Sequence, residues 1–168
     1  MKMWLFERPW LVRFILNIWP PFLFSGIKIE QLSADFRYCK VVLKDWPGTK
    51  NANGTQFGGS LFAMIDPIYS LMLLGIMGKR YFVWDKEAHI DFKKPGVGKV
   101  FVECRLDDDF LKAVREHTQN GEKYLPQVAN DIKDRHGNVV ATVTKTMYIR
   151  LKPAFRPKAE NREDGFNQ

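Results

Sequence analysis

The chain has 168 residues, of which 45% are hydrophobic and 27% are charged. This composition fits one globular domain and argues against a disordered or fibrous protein. The net charge of +7 comes from lysines and arginines scattered along the sequence, such as Lys40, Lys44, Lys93 and Lys99, and this spread argues against a nucleic-acid-binding face. We interpret the excess positive charge as favouring an anionic small ligand or an anionic surface.

The N-terminal part of the chain predicts an apolar helix over residues 9–19. Its only polar side chains, Arg13 and Asn17, are four residues apart and therefore form one narrow stripe. We expect nearly all of the remaining helix surface to be covered by the body of the protein, a partner subunit or a membrane surface. Trp4, Trp10 and Trp19 resemble the aromatic residues of an interfacial helix, which keeps the membrane alternative open.

The N-terminal segment and the two cysteines indicate in which cellular compartment the protein works. Glu7, Arg8 and Arg13 interrupt the apolar N-terminus, and the small-residue cleavage site of a secretory signal is missing. Cys39 and Cys104 stand singly in apolar stretches, without the spacing of a metal knuckle or a disulfide framework. Free buried thiols suit a reducing environment, so the sequence predicts a cytoplasmic protein.

Most of the chain predicts β-structure. Six segments show alternating or β-branched patterns: residues 26–32, 35–43, 81–92, 99–106, 124–133 and 138–151. A turn at residues 134–137 joins the last two as a hairpin, and residues 107–117 predict a short connecting helix. We therefore divide the chain into an N-terminal helical segment, 1–25, a main domain, 26–152, and a polar, flexible tail, 153–168.

Between the strands lies an apolar helix predicted to run from Gly58 to Gly78. Asp66 is the only charged residue between Lys50 and Lys79. The length would permit a transmembrane span, but the small and polar residues within it and the β-rich flanks favour a helix buried against a sheet. The fold class predicted from this order of elements is α+β, with an antiparallel sheet packed on one long helix.

Asp66 is the first candidate for chemistry. A carboxylate in apolar surroundings is costly, so it either finds partners or becomes protonated. The structural alternative is a buried aspartate that only ties down backbone amides.

Gly58 and Gly59 are the second candidate, because they open the helix where free amides can hold a developing oxyanion. The alternative is an ordinary tight turn. Gly58 and Asp66 are eight residues apart, or about 12 Å along one helix axis, too far to touch one carbonyl together. If they cooperate, one comes from each subunit of a two-fold dimer, which predicts a homodimer with composite sites.

The segment from Asn51 to Pro67, NANGTQFGGSLFAMIDP, resembles the loop and central helix of hotdog-fold acyl-CoA thioesterases of the phenylacetic-acid-degradation type. Positions that keep the family's spacing are Asn51, Gly54, Gly58, Gly59 and Asp66. The resemblance continues through Phe92-Lys-Lys-Pro95 and the terminal hairpin, and so covers about residues 26–151.

The resemblance implies a hotdog fold and hydrolysis of an acyl-thioester. Asp66 would be the base or nucleophile, the amide of Gly58 or Gly59 would polarise the thioester carbonyl, and Asn51 would help to place the water or the carbonyl. No metal or organic cofactor is implied, and coenzyme A enters only as part of the substrate. The expected assembly is a homodimer, or a homotetramer formed by two dimers.

The sequence departs from the family pattern at two positions. Phe57 stands where the family usually has histidine, which removes a polar side chain but keeps the amides. Asp85 stands where related enzymes often carry a hydroxyl residue, and a second carboxylate near Asp66 would couple the two titrations. The alternative for Asp85 is an exposed strand residue, since alternation from Tyr81 places it opposite Phe82, Trp84 and Ile90.

Two functions follow as hypotheses. The first is a thioesterase whose anionic substrate is met by basic groups such as Lys93, Lys94 or Arg150, although these also fit a solvated surface. The second is a non-hydrolytic hotdog module that binds acyl groups or a membrane surface, which the replacement of histidine by Phe57 favours. Zinc chemistry and a serine triad are not expected, because neither the histidines nor Ser60 have suitably spaced partners.

Overall fold

The computed structural model describes residues 3–157 of the chain. Its centre is one six-stranded antiparallel sheet with the strand order β1-β2-β4-β5-β6-β3. The strands are β1 (Ile27–Leu32), β2 (Tyr38–Leu43), β3 (Tyr81–Phe92), β4 (Val100–Arg105), β5 (Gln127–Asp134) and β6 (Val139–Leu151). Each overlaps one of the six predicted segments, and the turn before Asn138 joins β5 and β6 as the predicted hairpin.

In the described part of the chain, five α-helices accompany the sheet: α1 (Pro9–Ile18), α2 (Pro20–Phe24), α3 (Gly58–Ala63), α4 (Ile68–Met77) and α5 (Asp108–Thr118). Short 3-10 helices occupy Met3–Glu7, Pro47–Thr49, Gly78–Arg80 and Pro153–Phe155. The last of these forms the start of the predicted flexible tail, and residues 158–168 lie outside the described residues. The predicted connecting helix is α5, whose Asp107 caps it by accepting a hydrogen bond from the Phe110 N–H at 2.8 Å.

The central apolar helix consists of α3 and α4 rather than one regular helix. Proline has no N–H to continue the backbone ladder, and the regular pattern is interrupted over the four residues that end at Pro67. The chain resumes a regular helix at Ile68, and α4 buries Ile68, Met72 and Leu73 completely.

The segment Gly58–Arg80 is long and apolar enough to cross a membrane by composition, with a mean hydropathy of 1.7. Here it packs instead against the concave side of the curved sheet, where Met64 and Ile65 join Val143, Met147 and other strand residues in one core. The predicted architecture, an antiparallel sheet around a central helix preceded by an extra N-terminal helix, is confirmed.

Helix α1 lies along β1, the first edge strand of the sheet. Its polar stripe is used there: the Asn17 side chain donates to the Ile29 carbonyl and accepts from the Ile29 N–H, at 3.0 and 2.7 Å. Arg13 donates to the Glu30 carbonyl at 2.9 Å. Within the protomer the helix is covered on one side only, so cover of the rest by a partner subunit or a membrane surface stays a prediction. Only the side that meets the sheet is buried, and the opposite side exposes large apolar residues: Trp10, Phe14, Ile18 and Trp19.

Candidate active site

Asp66 lies in the irregular turn between α3 and α4. Its N–H donates to the Phe62 carbonyl at 3.2 Å, so the backbone there is still helix-like. The side chain is 55% exposed, which corrects the expectation of a carboxylate buried in apolar surroundings. The physical reason is that the sheet covers only one side of the central helix, and Asp66 stands on the uncovered side.

Lys145 brings a cation to this turn. Its side chain is completely buried on β6, and its ammonium donates to the backbone carbonyl of Asp66 and to the carboxylate of Asp85. The same nitrogen lies 3.9 Å from the Asp66 carboxylate and 3.5 Å from the Ile65 carbonyl. A buried ammonium is stable only with such partners, so Lys145 ties the turn, β6 and β3 together.

Asp85 completes the cluster from β3. Its side chain is 20% exposed, and its second oxygen accepts a hydrogen bond from the Ser70 hydroxyl at 3.1 Å. The alternative of an exposed strand residue is therefore wrong. Asp66, Ser70, Asp85 and Lys145 are called the carboxylate–lysine cluster below.

A β-bulge explains which β3 residues face this cluster. Asp85 pairs with Met147 and Glu87 with Thr146, so the register slips by one residue at Lys86. Before the slip, alternation correctly places Phe82 and Trp84 on the face opposite Asp85. After it, Ile90 pairs with buried Val143 and faces the same side as Asp85, so the alternation prediction for Ile90 is wrong.

Gly58 and Gly59 form the first turn of α3, where backbone N–H groups have no partner within the helix. Both need to be small. A Cβ on Gly58 would meet the Phe92 ring at 3.0 Å, and one on Gly59 would collide with the ring of Phe57. Phe57, which stands where the thioesterases that this segment resembles usually have histidine, is exposed and contributes no side-chain cap to the helix.

Asn51 holds the loop that precedes α3. Its side-chain oxygen accepts from the N–H groups of Asn53 and Thr55 at 3.0 and 3.1 Å, and its amide donates to the Thr55 hydroxyl at 2.9 Å. These bonds give Asn51 a structural role in the loop. Its role beside a substrate stays a prediction.

A cavity of about 450 Å³ adjoins this loop. Asn51 and Gly58 line it together with Lys93 and Lys94, whereas Asp66 and Asp85 do not. The predicted site residues thus fall into two groups in one protomer, one at the amide end of α3 and one at the turn before α4. Arg150, the third basic candidate, is elsewhere and donates to the Gly121 carbonyl at 2.8 Å.

The cysteines and the potential metal ligands bear on two other chemistries. Cys39 and Cys104 are both free and buried, and burial raises the pKa of the Cys39 thiol to about 12 and that of Cys104 also upward. Neither is a nucleophile at neutral pH. Among residues 3–157, no group of three histidine, cysteine or acidic side chains is arranged to hold a metal ion.

Lys145 is the functional residue that sequence reasoning missed, although a signal was present. On β6, Ala141, Val143, Met147 and Ile149 alternate as buried residues, and Lys145 occupies the same phase. A lysine at an apolar position of a central strand requires a buried partner, and Asp66 and Asp85 were the two acids already singled out in the sequence.

Solved structures resemble this fold over most of its length. A Pseudomonas aeruginosa protein described as of unknown function and "Probable Thioesterase" has a TM-score of 0.76 and 23% identity, covering 84% of this chain and 95% of that one. A Chlorobaculum tepidum protein of unknown function has a TM-score of 0.68 and 15% identity, covering 87% and 98%. The Haemophilus influenzae thioesterase HI1161 has a TM-score of 0.59 and 15% identity, covering 85% and 90%.

At these identities the likeness shows the fold, which is the hotdog fold expected from the sequence. No functionally curated protein matches the sequence. A family profile does match residues 8–149, which include α1 and nearly the whole sheet. The chain therefore belongs to the DUF4442 family, described as a domain of unknown function.

Proposed function

We propose that the protein hydrolyses acyl-thioesters, with acyl-CoA as the substrate class, and that Asp66 activates the attacking oxygen. The carboxylate–lysine cluster carries this proposal. It presents one exposed carboxylate next to a buried cation, on a fold shared with proteins described as thioesterases. The resemblance of residues 51–67 to phenylacetic-acid-degradation-type thioesterases supports the same chemistry.

The contacts divide the work between the two acids. Asp85 is engaged by Lys145 and Ser70, so it serves as a positioning residue. Among residues 3–157, the Asp66 carboxylate has only the ammonium of Lys145 nearby, at 3.9 Å, and this half-exposed carboxylate is free to meet water or substrate. Lys145 holds the Asp66 backbone in place and compensates the paired negative charges.

In the hydrolytic step, Asp66 takes a proton from a water molecule whose oxygen attacks the thioester carbonyl carbon. The carbon–sulfur bond then breaks, the sulfur leaves with the electron pair, and Asp66 returns the proton to it. In the alternative route the Asp66 carboxylate attacks the carbonyl carbon itself, and the carbon–sulfur bond breaks so that the thiolate leaves with the electron pair. Water then hydrolyses the resulting mixed anhydride to the free acid and the Asp66 carboxylate, and the proton released goes to the thiolate. Single turnover in heavy-oxygen water can establish the second route, because the label enters Asp66 only when water attacks the Asp66 carbonyl of the anhydride.

The developing oxyanion needs hydrogen-bond donors, and those of the cluster, Ser70 and Lys145, are already engaged by Asp85 and the Asp66 carbonyl. We assign them to the amides of Gly58 or Gly59 from a second copy of the chain, so that each site of a homodimer is composite. Lys93 and Lys94, which share a cavity with Gly58, would then lie beside the anionic coenzyme A portion of the substrate. No cofactor is required, and the free thiols suit a cytoplasmic site of action.

The test compares thioester hydrolysis by the wild type, Asp66→Asn and Asp91→Asn. Asp91 is a matched control, because it is an acid of similar exposure that also lies near a lysine, Lys93, but stands outside the carboxylate–lysine cluster. We expect Asp66→Asn to lower kcat by roughly 100-fold or more, and Asp91→Asn to leave it near the wild-type value. Unchanged turnover in Asp66→Asn would remove this residue from the chemistry.

The composite arrangement is tested by mixing two inactive variants, Asp66→Asn and Gly58→Val. Valine at position 58 would push against the Phe92 ring and block the amides. Random exchange of subunits gives mixed dimers with one intact site, and we expect about a quarter of the wild-type activity to return. If no activity returns while subunit exchange is demonstrated, both groups act within one protomer or not at all.

A membrane-peripheral, non-hydrolytic module is the second candidate. The observation that favours it is the exposed apolar side of α1, where Trp10 and Phe14 point away from the sheet. Sedimentation with anionic liposomes tests it, using Trp10→Ser and Phe14→Ser together against the wild type. Binding that depends on these residues, in a protein without thioesterase turnover, selects this candidate over the first.

A further inference from the structure

A second cavity, of about 350 Å³, lies between the N-terminal helix and the central helix. Ile15, Leu16 and Trp19 line it from the α1 side, and Leu71 and Leu74 line it from α4. None of the described lining residues carries a charge. The cavity is called the α1–α4 groove.

One end of the groove belongs to the carboxylate–lysine cluster. Ser70 lines the groove, and its hydroxyl donates to Asp85 at 3.1 Å. Pro67 also lines it and directly follows Asp66 in the turn. A molecule in the groove would therefore have one end next to the exposed carboxylate.

We propose that the α1–α4 groove binds the acyl chain of the substrate, and that medium to long unbranched acyl groups are the preferred class. The proposal rests on the proposed thioesterase function. The only polar lining side chain among the described residues, Ser70, is already engaged by Asp85, so the occupant is expected to be apolar along its length. With the thioester carbonyl at Asp66, the only part of the substrate that meets this requirement is its hydrocarbon chain.

The walls of the groove are fixed before any ligand binds. Asn17 and Arg13 hold α1 on the backbone of β1, and buried Val12 and Leu16 pack it onto the core. The volume of about 350 Å³ falls within the range of small-molecule sites. Because the groove is preformed, little free energy is spent on ordering its side chains when a ligand binds. Affinity should therefore increase directly with the length of the acyl chain.

This arrangement predicts a defined dependence on chain length. Each methylene buried in the groove should raise kcat/KM by up to about fourfold until the groove is full. Acetyl-CoA should therefore be a poor substrate, octanoyl-CoA a better one, and dodecanoyl-CoA better still or equal. A groove in which the ligand is anionic or branched would not give this series.

The experiment fills the groove from α1. Ile15→Trp places a large side chain in the groove, and Ile18→Trp, on the same helix but exposed and outside the lining, is the matched control. We expect Ile15→Trp to lower kcat/KM for dodecanoyl-CoA by about tenfold or more, the burial of roughly two methylenes, with acetyl-CoA unaffected. The control should behave as the wild type on both substrates, and thermal unfolding checks that both variants fold.

Binding is measured separately from turnover with a non-hydrolysable thioether analogue of dodecanoyl-CoA. Calorimetry uses the Asp66→Asn background with and without Ile15→Trp. If the protein shows no thioester hydrolysis, and Ile15→Trp still weakens binding of the analogue, the result supports acyl binding in the groove and contradicts the proposed hydrolase function. If turnover depends on Asp66, but Ile15→Trp changes neither the chain-length preference nor the binding of the analogue, the groove proposal is overturned and the proposed hydrolase function remains supported.

Two further results would also overturn the proposal. One is a wild type that prefers acetyl-CoA. The other is a change of sedimentation coefficient in Ile15→Trp but not Ile18→Trp, which would show that a second copy of the chain occupies the groove.

Discussion

The two edges of the sheet are completed in opposite ways. At β1, Asn17 forms a two-point contact with the Ile29 backbone and Arg13 binds the Glu30 carbonyl, so helix α1 satisfies the edge. At the other edge, β3 is twelve residues long and pairs only with β6 among the described strands. It also exposes three aromatic side chains: Phe82, Trp84 and Phe92.

An unpaired edge strand can form backbone hydrogen bonds with a strand of another chain, and proteins usually cover or interrupt such edges. This chain places its only two polar residues of α1 where they close one edge, and it leaves the longer edge open next to the carboxylate–lysine cluster. We infer that the open edge is the surface for pairing with a second copy. The difference between the edges thus points to the same homodimer that the spacing of Gly58 and Asp66 predicts.

The largest expected effect on stability concerns the open edge at β3, where Asp85 pairs with the buried Lys145 ammonium. Asp85→Asn leaves the Lys145 ammonium buried with carbonyl oxygens and a carboxylate 3.9 Å away. We expect the free energy of unfolding to fall by about 3 kcal/mol, as for other buried pairs that lose one partner. Urea denaturation followed by circular dichroism measures the change.

Two variants sharpen this result. Asp91→Asn removes an exposed partner of Lys93 on the same strand, and we expect a change of less than about 1 kcal/mol. Adding Lys145→Met to Asp85→Asn removes the stranded cation, and we expect it to restore part of the lost stability. A double variant less stable than Asp85→Asn alone would show that Lys145 stabilises the fold through packing rather than charge.

Much of this edge was readable from the sequence. The alternation of hydrophobic residues located all six strands, and β3 has the predicted ends, Tyr81 and Phe92. The bulge at Lys86 was not predictable, because no glycine or proline marks it, and it is set by how β3 pairs with β6. That one-residue slip reverses the facing of Ile90.

The candidate site was readable in part. Asp66 stood out as the one charge in an apolar segment, and the Gly58-Gly59 pair as a helix start. The surroundings of these residues could not be predicted from the sequence. The exposure of Asp66 depends on which side of the helix the sheet leaves uncovered. Its neighbour Lys145 lies on β6, seventy-nine residues later in the chain. Contacts over such sequence distances follow from the topology, which local patterns do not specify.

The second effect concerns the backbone of the open edge. In a dimer joined through β3, the outward N–H groups of β3 gain acceptors, whereas those of β1 are unaffected. At a total concentration about 100 times the dissociation constant, roughly 7% of the protein is free monomer, so exchange of the protected β3 amides should slow by about 15-fold relative to the monomer. Hydrogen–deuterium exchange over a dilution series measures this. Protection that is independent of concentration, in a protein that sediments as a monomer, would contradict pairing at β3.

The smallest effect is expected at the closed edge, where single hydrogen bonds are replaced by water. Asn17→Ala removes both contacts with Ile29 in a partly buried place, and we expect a loss of about 1–2 kcal/mol in the free energy of unfolding. Arg13→Ala removes one exposed contact and should cost less than about 1 kcal/mol, which makes it the control.

The two edges can then be compared by self-association. With Asn17 gone, the Ile29 N–H and carbonyl lose their partners, and β1 becomes a second open edge. Asn17→Ala should therefore form species larger than the dimer in sedimentation velocity at high concentration, whereas Arg13→Ala should not. If Asn17→Ala unfolds more easily but keeps the wild-type assembly, the bulk of α1 closes this edge. Arg13 and Asn17 would then stabilise the fold without affecting self-association, because buried Val12 and Leu16 would keep the helix packed along β1.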